Sequence, residues 1–304
     1  MFQDLISFLK KPETEFAADS KISFNDKLKY SLNMTCLMLG VAVIFGILGT
    51  IISNFFGFSS FDNYVVVNEI SKQSVWAALF ILVFFGPFRE EWAFRLFLSK
   101  KKNIILLGFL GFGIFFVDVL SSLLDPGGRF VNYYFLSLGL LILLISSLQI
   151  LLPKLKIELF ISRHSRFFLY ASAILFGLVH ITNYNNISQF WWLAIILVMP
   201  QIIVGLFLPL IRVKLGFWWA VFVHGLYNFI LGLNIILLLA GPSVLREYIT
   251  KDITAEILSK FSSFEQFYFR AVNISQSVVY LTVFVVFIYH TSIYLKIFAP
   301  KLKT

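Results

Sequence analysis

The chain has 304 residues, of which 59% are hydrophobic and only 13% are charged. Soluble domains average about 45–50% apolar and about 25% charged residues, so this composition excludes an ordinary soluble protein. The formal net charge of +9 would suggest nucleic-acid binding in a soluble protein, but here the basic residues lie between apolar runs, where they fix topology and contact anionic lipid.

Apolar runs of about 20 residues, long enough to cross about 30 Å of hydrocarbon as a helix, recur along the chain. Residues 1–30 form a predicted cytoplasmic segment that is compatible with a short surface helix. Eight spans are predicted, running from Ser31 to Phe55, Val75 to Leu98, Ile104 to Leu124, Phe130 to Leu152, Phe167 to Ile181, Phe190 to Ile211, Phe217 to Ala240 and Val278 to Phe298. The sequence therefore predicts an all-α polytopic bundle with one transmembrane domain, 31–298, and a short basic tail, 299–304.

The charges of the loops predict that both chain ends lie inside. With the N-terminus inside, Lys100–Lys102, the basic loop 153–166, Arg212 with Lys214 and the C-terminal lysines fall on one side. Short cytoplasmic loops carry an excess of Lys and Arg, which supports this orientation and the count of eight. The longer loop 241–276, predicted to lie outside, carries four basic and four acidic residues. The composition favours a bacterial inner membrane.

Three polar clusters interrupt the spans, and ionisable groups in hydrocarbon are costly enough to be candidates for function. In the second span, Glu91 and Arg95 share a helix face and can pair, whereas Glu90 is turned by about 100° and is available as a general base. The fifth span ends near His180, and the seventh carries His224 and Asn228 on one face. Each cluster alone also fits a plainer interpretation, as interfacial charges or as hydrogen bonds between helices.

Together the clusters supply a base, an orienting histidine and donors for an oxyanion, which are the parts of a hydrolytic site. In chain order they read Glu90-Glu91-x-x-x-Arg95, Phe176-x-x-x-His180 and His224-x-x-x-Asn228. This pattern resembles the CPBP family, also called Abi, which includes the CAAX prenyl endopeptidases and bacterial proteins of bacteriocin processing and immunity. The motifs lie within residues 87–228, about half of the chain. Leu96 is a departure, because many members have a glycine after the arginine.

The resemblance implies glutamate-dependent peptide hydrolysis within the membrane, without a cofactor. Glu90, assisted by His180, would activate a water, and His224 with Asn228 would form the oxyanion hole. The predicted partners are the lipid bilayer and a peptide or protein substrate that enters from the membrane, with no nucleic acid. Supporting roles are predicted for Glu91, Arg95 and Phe176.

A metalloenzyme is the alternative mechanism, in which Glu90, His180 and His224 bind Zn²⁺ and leave the fourth position open. The chain has no compact HExxH pair, which favours the version without a metal. Depth is a difficulty for either mechanism. At 1.5 Å per residue, Glu90 and His224 lie about 12 Å from the inner ends of their spans and His180 about 20 Å, so the site requires a tilted or later-starting fifth span.

Functions from two other classes stay open. A catalytically silent membrane scaffold, such as a bacteriocin-immunity or sensor-regulating protein, would bind a partner without cleaving it. A proton-coupled transporter is less favoured, because the paired repeats and broken helices of that class are not evident. Outside the clusters, Cys36 is predicted to be a packing residue, His164 to be solvated and His290 to bond between helices, while Asp118 has no predicted role.

Overall fold

The structure, a computed structural model, describes residues 2–12, 22–57, 65–124, 156–184, 191–246, 248–249 and 254–298. The predicted fourth span and the basic tail 299–304 lie outside these residues. The described part of the chain is helical and contains no β-strand, which confirms the all-α class. Its α-helices are α1 (Phe2–Lys10), α2 (Phe24–Phe55), α3 (Val65–Ser71), α4 (Val75–Leu79), α5 (Gly86–Arg95), α6 (Lys102–Leu124), α7 (Ile157–Arg163), α8 (Ser165–Val179), α9 (Ala194–Leu197), α10 (Met199–Leu215), α11 (Phe217–Ala240), α12 (Ser243–Arg246), α13 (Ala255–Ser259) and α14 (Ser263–Phe298).

Several helices are long and apolar enough to cross a membrane. By length and composition the described residues contain five, namely Phe24–Ile52, Lys102–Val119, Ser165–Asn183, Phe217–Ala240 and Ser263–Ser292. They contain six if Trp191–Leu197 and Met199–Leu215, which meet at a bend of 41°, form one broken span. The prediction of a membrane helical protein is confirmed at this level, while the count of eight and the orientation of the chain ends stay predictions.

The predicted second span is a helical stretch of three pieces. Helix α4 begins after Ser74, whose side-chain oxygen accepts a hydrogen bond from the backbone N–H of Ala77. A π-helical segment, Phe80–Phe85, follows and leads directly into α5. The helix ends at Arg95, three residues before the predicted Leu98, and it is not among the five long apolar helices.

Two predicted spans begin seven or more residues after the first residues of their helices. Helix α2 begins at Phe24 because Ser23 and Asp26 cap it: the Ser23 hydroxyl accepts from the Asp26 N–H at 3.2 Å and donates to its carboxylate at 2.7 Å. Helix α14 begins within the predicted loop 241–276, where Ser262 and Glu265 form a reciprocal capping box. The predicted basic loop 153–166 was likewise wrong in part, because it contains α7.

The helices divide into two compact units, and neither is continuous in sequence. The first unit comprises Met1–Met34, Gly86–Thr182 and Gln201–Val223. One of its apolar clusters is formed by the buried Phe97, Leu98, Ile105 and Ile161. Helix α1 belongs to this unit and is more than a surface helix, since Phe8 is fully buried.

Polar contacts hold α1 within the first unit. Lys214 forms an ion pair with Asp4 at 2.9 Å, and the Tyr170 hydroxyl donates to the Leu9 carbonyl at 3.0 Å. The prediction of a short N-terminal helix is therefore correct, and the helix packs on the first unit through both apolar and polar contacts.

The second unit comprises Thr35–Phe85, Asn183–Pro200 and His224–Thr304. Its main cluster packs Ile70 and Ala78 against Leu238 and Leu239 of α11. Helices α11 and α14 are joined by hydrogen bonds to α11 carbonyls. The Tyr268 hydroxyl donates to Leu237 at 2.8 Å, and the Gln276 amide donates to Ile230 at 3.3 Å.

Candidate functional site

Glu91 and Arg95 form a fully buried ion pair in the first unit. Both side chains are 0% exposed, and Nη1 of Arg95 lies 3.0 Å from Oε1 of Glu91. The spacing of four residues places them on one face of α5, as the sequence predicts. Removing two charges from water is costly, and their mutual attraction offsets that cost only when the geometry is good. The pair therefore keeps two opposite charges together where neither would be stable alone.

Aromatic rings enclose the buried guanidinium. The Arg95 group lies 3.9 Å from the centre of the Phe176 ring and 5.7 Å from that of Phe94. The two rings also contact each other edge to face, with centroids 5.6 Å apart. A cation within about 6 Å of a ring face is attracted by the ring quadrupole, most strongly where water is excluded. Phe176 thus has a defined contact with the Glu91–Arg95 pair.

Phe176 also orients His180. Its ring meets the imidazole edge on, with centroids 4.7 Å apart, and its backbone carbonyl lies 2.6 Å from His180 Nδ1. A carbonyl oxygen can only accept, so Nδ1 carries the proton and donates it. In the neutral imidazole, Nε2 is then the acceptor nitrogen. His180 follows directly after α8, as the first residue of the 3₁₀ turn His180–Asn183.

Glu90 and His180 come together in the first unit. His180 Nε2 lies 4.0 Å from Glu90 Oε2, and the two side chains are 15% and 17% exposed. The carboxylate and the acceptor nitrogen therefore face each other across a gap too wide for a direct hydrogen bond. The depth estimate, which places the two residues about 8 Å apart along the membrane normal, does not describe this pair.

The contacts along α5 and α8 explain why that estimate fails. Phe94 meets Ser172, and Glu90 meets His180, so four residues along α5 correspond to the eight residues from Ser172 to His180. At 1.5 Å per residue these distances are about 6 Å and about 12 Å. An estimate that uses upright helices and counts no side-chain length does not describe such contacts.

Small residues position α8 within the first unit, and they were not among the predicted site residues. The Ser172 hydroxyl donates to the Phe94 carbonyl at 2.6 Å, which ties α8 to α5. A Cβ added at Gly177 would collide with Ile202 of α10, and one added at Gly205 would lie 2.9 Å from backbone atoms of Ala173. Small residues four apart, here Ala173 and Gly177, allow close approach of membrane helices and were the available signal.

His224 and Asn228 belong to the second unit. His224 is 2% exposed, and Asn228 lies one helical turn further along α11. The Asn228 side-chain amide donates to the Leu82 carbonyl in the π-helical segment at 3.2 Å, a bond that the sequence did not predict. Gly225, between the two, lies against the Val83 carbonyl oxygen. The oxyanion role of His224 and Asn228 stays a prediction.

Asp118, for which the sequence predicts no role, forms an ion pair in the structure. Arg89 Nη1 lies 2.8 Å from Asp118 Oδ2 in the first unit, and both side chains are 43% exposed. The Arg89 guanidinium also lies 4.9 Å from the centre of the Phe115 ring. Arg89 and Asp118 thus form a half-exposed ion pair between α5 and α6. The exposed His164 bonds to the carbonyl of Phe160, in keeping with its predicted solvated position.

The described residues contain no group of three or more His, Cys, Asp and Glu side chains placed to hold a metal ion. The zinc alternative gains no support from this, and a chelator experiment tests it directly. No family model, no curated protein and no solved structure matches the chain. The resemblance to the CPBP family accordingly rests on the three motifs.

Proposed function

We propose that this protein is an intramembrane endopeptidase that hydrolyses membrane-associated or lipid-anchored peptides, with Glu90 as its general base. The observation that carries the proposal is the 4.0 Å approach of His180 Nε2 to Glu90 Oε2, with Nδ1 held by the Phe176 carbonyl. Two acceptor atoms face each other in a mostly buried position, where a water molecule would be the natural donor to both. A bacterial inner membrane is the proposed location.

The separation of the two acceptors suits one bridging water. A water oxygen about 2.8 Å from each acceptor atom spans the observed gap and donates one proton to each. Glu90 would take one proton as the water oxygen attacks the scissile carbonyl, forming a tetrahedral oxyanion. The same proton would then pass to the leaving amine as the carbon–nitrogen bond breaks. His180 would hold the water through Nε2, and His224 with Asn228 would stabilise the oxyanion as the resemblance implies.

The decisive test is cleavage of a panel of lipidated and leader peptides by purified protein in detergent, with products identified by mass spectrometry. Glu90→Gln keeps the shape of the side chain and removes the base. Since general-base catalysis contributes about 10²–10⁴-fold, we expect kcat to fall by at least about 10²-fold. The matched control is Glu256→Gln, because Glu256 is an exposed glutamate paired with Lys260 in the second unit. That variant is expected to cleave at the wild-type rate.

Three other outcomes would change the assignment. Cleavage by Glu90→Gln at the wild-type rate would remove Glu90 from the mechanism. Loss of cleavage on addition of a chelator would move the protein to the metalloenzyme alternative. A wild-type protein that cleaves nothing, together with a cellular phenotype that survives Glu90→Gln, would favour the silent scaffold.

A further inference from the structure

Pro87, the second residue of α5, leaves a gap in the backbone hydrogen bonding of the helix before it. Proline has no backbone N–H, so residue 87 cannot donate to the Leu82 carbonyl, its acceptor in a π-helix, or to the Val83 carbonyl, its acceptor in an α-helix. Both lie in the π-helical segment Phe80–Phe85, where donors are spaced five residues from their acceptors. In a membrane helix such freed carbonyls must find donors within the protein, because lipid supplies none.

Two residues of the third motif lie against these carbonyls within the second unit. The Asn228 amide donates to the Leu82 carbonyl at 3.2 Å, and Gly225 lies so close to the Val83 carbonyl oxygen that any side chain there would collide with it. Gly225 and Asn228 are three residues apart on α11 and so lie on one face. That face is therefore shaped to receive a helix that lacks the N–H of residue 87.

We propose that one of the two side-chain amide protons of Asn228 replaces the backbone N–H that Pro87 removes, and that Gly225 and Asn228 in this way stabilise the π-helical segment. The donor from Asn228 is then needed because residue 87 is proline. This inference is independent of the proposed peptidase activity, since it concerns one backbone carbonyl and its donor.

A suppressor experiment tests the pairing. The midpoints of thermal unfolding are measured in detergent, without substrate, for wild type, Asn228→Ala, Pro87→Ala and the double variant. Asn228→Ala leaves the Leu82 carbonyl without its donor, and we expect the midpoint to fall by about 2–4 °C. Pro87→Ala restores an N–H at residue 87, so the double variant is expected to recover most of that loss. Pro87→Ala alone should change the midpoint by less than Asn228→Ala does.

The control is Asn234→Ala, an asparagine further along the same helix α11. Pro87→Ala is expected to shift the midpoint of that variant no more than it shifts that of the wild type, because the restored N–H is specific for the carbonyls before residue 87. Equal losses in Asn228→Ala and in the double variant would overturn the proposal, as would an equal rise on adding Pro87→Ala to both asparagine variants. Because the midpoint is measured without substrate, either result stands whether or not the protein cleaves peptides.

Discussion

At the scale of single residues, the buried Glu91–Arg95 pair makes a sharp prediction about stability. Removing one partner of a buried pair leaves an uncompensated charge and costs about 3–5 kcal/mol, whereas replacing both partners with apolar residues of similar volume is often nearly neutral. We therefore expect Glu91→Leu to lower the unfolding midpoint strongly and Glu91→Leu with Arg95→Met to recover much of the loss. Unfolding in detergent followed by circular dichroism measures both.

The exposed pair of Glu69 and Lys72 provides the comparison. Its side chains are 61% and 65% exposed and lie 2.6 Å apart. Exposed pairs contribute about 0.2–1 kcal/mol, so Glu69→Leu should shift the midpoint far less than Glu91→Leu does. Similar losses at both sites would show that the Glu91–Arg95 pair is not desolvated as the structure has it.

Spacing along the chain predicts contacts within one helix, but spacing alone does not predict contacts between helices. Glu91 with Arg95 and Phe176 with His180 lie four apart, and helical periodicity alone makes them neighbours. Arg89 and Asp118 are 29 residues apart, and their pairing depends on how α5 packs on α6. The bond from Asn228 to Leu82 was beyond prediction for a further reason: its acceptor is a backbone carbonyl, which no side-chain pattern reveals.

At the scale of elements, the close approach of α8 to α10 predicts a strong effect of one methyl group. A Cβ at Gly177 would meet both the side chain and the backbone of Ile202. Overpacking of this kind costs about 1–3 kcal/mol. We expect Gly177→Ala to lower the unfolding midpoint and, because His180 directly follows α8, to lower peptide cleavage as well.

Gly46, in the middle of α2, is the matched control for that substitution. Among the described residues, no heavy atom outside the local helix lies within 4 Å of a Cβ added at Gly46. Alanine is favoured over glycine in a helix by about 0.8–1.0 kcal/mol, so Gly46→Ala should be neutral or stabilising. A similar loss of stability in the two variants would mean that the replacement of a helical glycine, and not the contact with Ile202, causes the loss.

The ends of a helix were predicted correctly where they coincide with the ends of an apolar run. The predicted starts were wrong where capping side chains set the first residue of the helix. The seventh span matches α11 from Phe217 to Ala240, because its apolar run and its helix coincide. Helices α2 and α14 extend into polar sequence, and the capping side chains of Ser23 and Ser262 set their first residues. The spacing of Ser262 and Glu265 was a readable signal for the second of these starts. The π-helical segment has no comparable signal apart from Pro87.

At the scale of the whole molecule, long apolar runs predict membrane helices well but leave the second span a prediction. The apolar runs of the first, third, fifth, seventh and eighth predicted spans all correspond to helices long enough to cross. The second is divided into α4, the π-helical segment and α5, and α5 carries Arg89, Glu90, Glu91 and Arg95. The candidate site residues on α5 thus lie on a helix whose crossing of the membrane is still to be tested.

The side of the membrane on which each loop lies is predicted from the positive-inside rule. Labelling of single cysteines measures it at each chosen residue. Single cysteines are introduced in a Cys36→Ala background at four exposed positions, and a membrane-impermeant maleimide is applied to intact cells and to inverted vesicles. The chosen positions are Lys10, Lys101, Arg163 and Glu256. The first three are expected to react only from the inside and Glu256 only from the outside, since seven predicted spans separate it from the N-terminus.

Lys101 and Arg163 each test whether one predicted span crosses the membrane. If the helix containing Glu90 does not cross the membrane, Lys101 will react on the side opposite to Lys10, because only the first span then separates them. If the predicted span 130–152 does not cross, Arg163 will react on the side opposite to Lys101. Agreement of all three positions would require both spans to cross, and it would place Glu90 on a helix that passes through the hydrocarbon, where a general base for intramembrane hydrolysis has to lie.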